Sequence, residues 1–268
     1  RIYDPKLRDI HKASVRDRLL HHALYRKLYP FFDGKFITDS FSCRLDKGTH
    51  KAIDRFRSFA YKTSLNHTRT VWVLKCDIRK FFASVDQKVL IKLLDKYIFD
   101  KNILNIISQI IKSFSGARMG VGLPLGNLTS QLLVNIYMNE FDQFIEHHLK
   151  AKYYIRYADD FVIMHHDRGV LIEVLPKMRD FLEEKLKLIL HPNKIFLKTA
   201  ASGVDFLGWV HFPHHRVLRT TTKKRMFKNI KTKEAKAETV QSYLGLISHG
   251  DSWKLQQRIL QTQKDLGL

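Results

Sequence analysis

Sulfur and acid are both scarce in this chain. Its 268 residues include two cysteines, Cys43 and Cys76. Two isolated thiols build neither a disulfide framework nor a zinc finger, so a reduced, cytoplasmic setting is expected. Cys76 sits in an apolar run and reads as a small core residue. No apolar run is long enough to span a bilayer, which argues against a helical membrane protein, and no signal peptide is expected at Arg1. Internal repeats and low-complexity tracts are absent. Lys and Arg number 47 against 26 Asp and Glu, a net charge of +21. That much positive charge repels itself unless an anionic partner relieves it. Nucleic acid leads, since phosphate neutralisation supplies most non-specific affinity; an anionic membrane surface is the alternative.

What is present reads as a globular chain, 44% hydrophobic and 27% charged, long enough for subdomains. Residues 1–34 carry Ile10, Leu19, Leu20, Leu24 and Leu28 near a 3.6-residue spacing, predicting a helix ended by Pro30 and Asp33-Gly34. Its Arg16, Arg18 and His21-His22 read as a solvated basic face, because adjacent histidines on a helix point apart. In the polar stretch 35–50, Arg44, Lys47 and Lys51 flank Gly48, a weak phosphate signal. Residues 51–65 read as a helix. Residues 1–70 hold 16 basic against 7 acidic groups, so this lobe works beside an anion.

Val71 to Ile78 is the clearest buried strand, and it ends in Asp77. Ser84 or Asp86 can cap a helix from about Lys88 to Tyr97. A helical pattern over 103–114 stops at Ser115-Gly116. Gly120, Gly122, Pro124 and Gly126 then form a backbone-exposing loop, and Asn127 can cap a helix to about Leu149. In Lys152 to His166, strand-forming residues flank Ala158-Asp159-Asp160, predicting a β-hairpin with two carboxylates at its tip. Adjacent carboxylates repel unless a cation lies between them, whereas the plain alternative is a surface turn. Residues 170–187 read as a helix that Pro176 kinks or restarts. His191 to Lys194 is a turn, and Val204 to His211 a strand bent at a glycine. Composition turns strongly basic after His211, placing a domain boundary near Pro213, with packed helices beyond.

Three carboxylates stand out: Asp77 at a strand end and Asp159-Asp160 at a hairpin tip. Phosphoryl transfer from a nucleotide uses hard divalent cations with oxygen ligands. Asp77, Asp159 and Asp160, with the Ile78 backbone carbonyl, can hold such a pair. Lys194 can stabilise or protonate a pyrophosphate leaving group.

In this order, Asp77-Ile78-Arg79-Lys80-Phe81-Phe82, Gly122-Leu123-Pro124-Leu125-Gly126-Asn127-Leu128-Thr129-Ser130-Gln131, Tyr157-Ala158-Asp159-Asp160, Lys194 and Phe206-Leu207-Gly208-Trp209 resemble a reverse transcriptase. The resemblance implies an α+β right-hand fold: fingers over 1–70, a palm with an antiparallel sheet packed on helices over 71–212 (with a finger insertion near 100–126), and a helical thumb over 213–268. It implies RNA-templated DNA synthesis with two Mg²⁺ ions, or Mn²⁺, on Asp77, Asp159 and, less tightly, Asp160. Arg44 and Lys47 would meet the incoming triphosphate. Phe82 would lie under the sugar and exclude a 2′-hydroxyl. Leu125, Gly126 and Gln131 would line the nascent pair, and Phe206 to Trp209 would grip the primer. Template RNA, the cDNA strand and dNTPs are the implied partners.

Many reverse transcriptases carry Gln and Pro where this chain has Leu125 and Gln131. That departure, with Arg16 to His22 and Lys47 to His50, looks like enzymes of diversity-generating retroelements. An apolar Leu125 offers no polar check on the pair, which lowers discrimination and fits copying errors at template adenines. A small basic helical accessory protein, as an oligomer, would be a further partner. A group II-intron-like or phage-defence reverse transcriptase is the alternative, and a non-catalytic basic RNA-binding scaffold is the alternative of another class.

Overall fold

A computed structural model of the protein describes residues 2–3, 7–8, 10–11, 13–114, 118–231 and 237–265. Strands β1 (Ile2–Tyr3) and β2 (Leu7–Arg8) pair antiparallel. Helix α1 (Val15–Asp33) is capped by Ser14, whose Oγ accepts from the Asp17 N–H, and α2 (Thr49–Thr63) follows. After β3 (Trp72–Asp77) come a short α3 (Phe81–Ser84) and α4 (Gln87–Asp95), capped by Asp86. Helix α5 (Lys101–Lys112) is capped by Asp100, and α6 (Leu128–Gln143) runs on through a wider turn at Phe144–His148. The hairpin of β4 (Tyr154–Tyr157) and β5 (Asp160–His165) leads to α7 (Arg168–Leu186) and β6 (Phe196–Thr199). Then come β7 (Val204–Phe206), β8 (Trp209–His211) and β9 (Arg216–Leu218). Helices α8 (Thr220–Ile230), α9 (Ala237–Ile247) and α10 (Trp253–Asp265) complete the chain's described part.

The central sheet is antiparallel in the order β4-β5-β3-β6. Because side chains alternate, β3, β4 and β5 each feed two cores. Leu74 and Cys76 of β3 and Phe161 and Ile163 of β5 face helices α1, α4, α5, α6 and α7. Val73, Val162 and Met164 face α2 through Phe56 and Phe59. Truncating a fully buried aromatic such as Phe161 costs about 3–5 kcal/mol. A third core joins α8, α9 and α10 to Trp209, Leu218 and Ile53 of α2. Helix α1 shares its core with α6, and α2 shares its core with the sheet, so among the described residues the 1–70 lobe has no core of its own.

Several expectations change. The first helix begins at Val15, and Leu19 and Leu20 are exposed. Pro30 lies inside that helix, where burial of Tyr29 and Phe32 holds the turn it weakens. His21 is buried, its Nδ1 2.8 Å from Thr129 Oγ1, so it is no solvated face. Residues 204–211 form a hairpin, not a bent strand. Leu207 and Gly208 both adopt positive φ (51° and 87°), which a tight two-residue turn of the favoured hand demands. Pro213 lies in the turn between β8 and β9, which pair across it, so the passage into the helical end falls after Leu218. Helix α7 runs through Pro176. Ser115 and Gly116, expected to end α5, lie outside the described residues.

Candidate active site

Strand β3 pairs with β5 so that Asp77 faces Asp160 directly. Opposed residues share a face, with Cβ atoms about 4.5–5.5 Å apart, so two carboxylates meet at the end of a buried strand pair. Lys75, two residues back, lies on that same face. Asp159 sits in the two-residue loop between Tyr157 and Asp160, which are paired. That loop is clamped from both sides. The Asp159 carbonyl accepts from the Ile78 N–H at 3.1 Å, and the Ala158 carbonyl accepts from Arg156 Nη1 at 3.2 Å. Ala158 takes φ 55°, a left-handed conformation that costs a non-glycine residue roughly 1–2 kcal/mol and that these bonds sustain.

Arg156 is fully buried. Its guanidinium forks onto Asp142 of α6 at 2.6–3.0 Å and also reaches Asn135 Oδ1 and Ser40 Oγ. Asp142 further accepts from Tyr154 Oη at 2.8 Å. Charge pairing with extra hydrogen bonds is what makes a buried ion pair tolerable. Here it ties α6, the 39–42 loop and the hairpin tip into one rigid support beneath Asp159.

Lysines answer the carboxylates. Lys194 Nζ stands 2.8 Å from Asp77 Oδ2, and Lys75 Nζ stands 3.2 Å from Asp160 Oδ2. Burial raises Asp160 to about 7; Lys75 opposes the rise, while the charges of Asp77 and Asp159 add to it. Mutual repulsion among the three carboxylates is thus part of the site's electrostatics. Asp160 Oδ1 is buried with no hydrogen-bond partner. Among the described residues no three His, Cys, Asp or Glu side chains close into a cation cage. Lys75 Nζ also donates to the Asp205 carbonyl at 2.7 Å, which brings the β7–β8 hairpin beside the carboxylates.

The remaining predicted residues divide. The Arg44 guanidinium is engaged by the Asp33 carboxylate and by the Asp33, Ile37 and Ser40 carbonyls. It braces the loop, because three of its acceptors are fixed backbone oxygens. Lys47 Nζ reaches the Thr38 carbonyl at 2.8 Å. Phe82 is half-buried against the core beside Phe81. Leu125 and Gln131 are half-buried, and a side chain at Gly126 (φ 108°) would meet Ile10 Cγ2 at 2.8 Å. Phe206 and Trp209 are core residues, leaving Leu207-Gly208 as the presented turn. Ile78 keeps its side chain buried while its backbone faces the Asp159 loop. Sequence reasoning missed Lys75, Arg156 and Asp142. Lys75 and Arg156 had a signal, since each is a charge inside an apolar strand; Asp142 on its helix had none.

The layered helices and antiparallel sheet, with opposed carboxylates at one end, make this a right-hand polymerase fold. A family model described as "Reverse transcriptase (RNA-dependent DNA polymerase)" matches residues 4–211, and the chain belongs to that family. It is 29% identical over 262 residues to Protein YkfC of Escherichia coli, covering 82% of this chain and 66% of that protein. It is 25% identical over 194 residues to the group II intron-encoded protein LtrA of Lactococcus lactis, covering 70% of this chain and 29% of that one. Telomerase from Candida tropicalis, solved with an RNA fragment, superposes with a TM-score of 0.59 at 13% identity, over 85% of this chain and 40% of that one. The chain therefore spans about two thirds of YkfC and well under half of the others. Among the described residues no helix is long and apolar enough to cross a membrane.

Proposed function

We propose that the protein is an RNA-directed DNA polymerase that copies template RNA into cDNA from dNTPs. The observation that carries this reading is the Asp77–Asp160 register, with Asp159 clamped beside the pair. The donor set fits hard divalent cations such as Mg²⁺ or Mn²⁺: three carboxylates, one with an orphaned buried oxygen. Asp77 and Asp159 would hold the ions, helped by the Ile78 carbonyl. Asp160 contributes less directly, because Lys75 already occupies one of its oxygens. Bound ions supply charge neutralisation at the attacking and leaving oxygens. The chain's own groups do the rest. Lys194, half-exposed beside Asp77, serves the departing pyrophosphate as a proton donor or a fixed positive charge. Phe82 limits space beneath the sugar. The Leu207-Gly208 turn, tied to the site through Lys75 and Asp205, steadies the primer end. Lys47 remains a triphosphate contact, and Arg44 acts through the loop it braces.

Two finer readings stand beside this one. Leu125 and Gln131 support a diversity-generating retroelement enzyme that miscopies template adenines, with a small basic accessory protein oligomer as partner. The likeness to intron-encoded proteins favours a group II-intron-like enzyme. Sequencing cDNA made from a defined RNA separates them, since errors concentrated at adenines belong to the first. The core reading is tested by primer extension on RNA with Mg²⁺. Asp159→Ala is expected to keep RNA binding and lose at least 10²-fold in extension rate. RNA binding by the wild-type chain with no extension, and no difference in Asp159→Ala, would leave a non-catalytic scaffold.

A further inference from the structure

A groove runs along α2, between that helix, the β8–β9 turn and the loop joining α9 to α10. It consists of two adjoining cavities of about 390 and 380 Å³ that share Ala60 and His214. Its walls carry Arg57, Arg69 and Arg216 with His67, His214 and His249, against one lining acid, Asp251. At its far end lie Val71 and Ala200, just beyond the Trp72–Thr199 pair. That is five residues along β3 from Asp77, about 17 Å at strand rise. None of Asp77, Asp159, Asp160, Lys75 and Lys194 lines either cavity.

We infer that this groove binds the phosphodiester backbone of RNA outside the template–primer duplex held at the carboxylates. The inference rests on the polymerase reading only for the identity of the polyanion as RNA. Arg57 and Arg69 are exposed, and Arg69 is aimed by the bond from its Nε to the Thr63 carbonyl at 3.0 Å. Arg216 is committed to Asp54 and to the His249 carbonyl, so it shapes the wall. Imidazoles pair here: His50 stacks on His249 at 3.7 Å, and His67 lies tilted against His214 at 4.3 Å. Burial and these neighbouring rings lower the pKa values of His50 and His67, so Arg57 and Arg69 carry the groove's charge at neutral pH. Exposed Thr70 adds a hydroxyl suited to a phosphate or ribose oxygen, whereas those of Ser64 and Thr68 are spent on backbone carbonyls. None of the exposed large apolar side chains lines the groove, which speaks against a membrane or a protein helix as its occupant. Two joined cavities in line suit a strand better than a single anion.

The test is the double variant Arg57→Ala/Arg69→Ala in the full chain, with a long structured RNA and a short template–primer measured in parallel. The salt slope for the long RNA is expected to fall by about 2 and its affinity by roughly tenfold. Affinity for, and extension of, the short template–primer should stay at the wild-type level, with an unchanged melting temperature. Equal long-RNA affinity and slope in variant and wild type would overturn the inference. So would an equal loss on both substrates, which would make the groove part of the catalytic cleft. A wild-type chain that fails to extend the short primer would refute the polymerase reading alone, because the long-RNA arms still judge the groove.

Discussion

Replacing Arg156 by Met strands Asp142 as a buried charge whose remaining described side-chain donor is Tyr154 Oη. Removing one partner of a buried pair costs about 3–5 kcal/mol, a large part of the roughly 5–15 kcal/mol that holds a domain folded. At about 2–4 °C per kcal/mol for a chain near this size, melting should fall by roughly 10 °C. The double variant Arg156→Met/Asp142→Leu removes both charges and should recover part of that loss, less about 1 kcal/mol each for the bonds to Asn135 and Ser40 and for the Tyr154 hydroxyl left without its acceptor. Extension should not recover. In both variants the Ala158 carbonyl has lost its donor, so the Asp159 loop is held from one side alone. A misplacement of about 1 Å at a reacting centre costs on the order of 10²-fold in rate. Thermal melts and single-turnover primer extension on RNA read the two effects separately. A double variant that regains stability and full extension together would refute the positioning role of Arg156.

Two pH effects follow from buried groups. Asp160 holds its proton up to about 7 in the folded chain, against 3.8 ordinarily. Its carboxyl therefore favours folding below pH 4, and that contribution is lost as pH rises to 7. Without divalent cation, Asp160→Asn should raise stability at pH 8, with an upper bound of about 4 kcal/mol at 1.36 kcal/mol per pH unit, and change little at pH 4. Equal denaturation midpoints for variant and wild type at pH 8 would contradict this. His211 goes the other way: burial lowers it to about 4, so the unfolded chain binds its proton first. Stability should drop by up to about 3 kcal/mol as pH falls from 6.5 to 4, and His211→Gln should flatten that part of the acid unfolding profile.

Much of the site was legible in the primary sequence because its signals are local. Asp77 breaks an apolar run, and Asp159-Asp160 interrupt a stretch of strand-forming residues, so a turn between two strands follows from local propensity. The rough extent of most helices follows equally from local periodicity and from caps such as Asp86. The sequence by itself thus determined most of the helices, the strands around the acidic positions and the basic character that calls for a polyanion. Tertiary structure decided what faces what. It set the register that opposes Asp77 to Asp160 and gave the Arg44 fork to the end of α1 and to carbonyls of its own loop. It also chose Asp142 as partner to Arg156 and gathered distant Arg and His residues along α2. Local propensity knows nothing of which strand lies beside which. A long side chain's partner depends on where the whole core places its neighbours, and that placement is fixed only when every buried surface is packed at once.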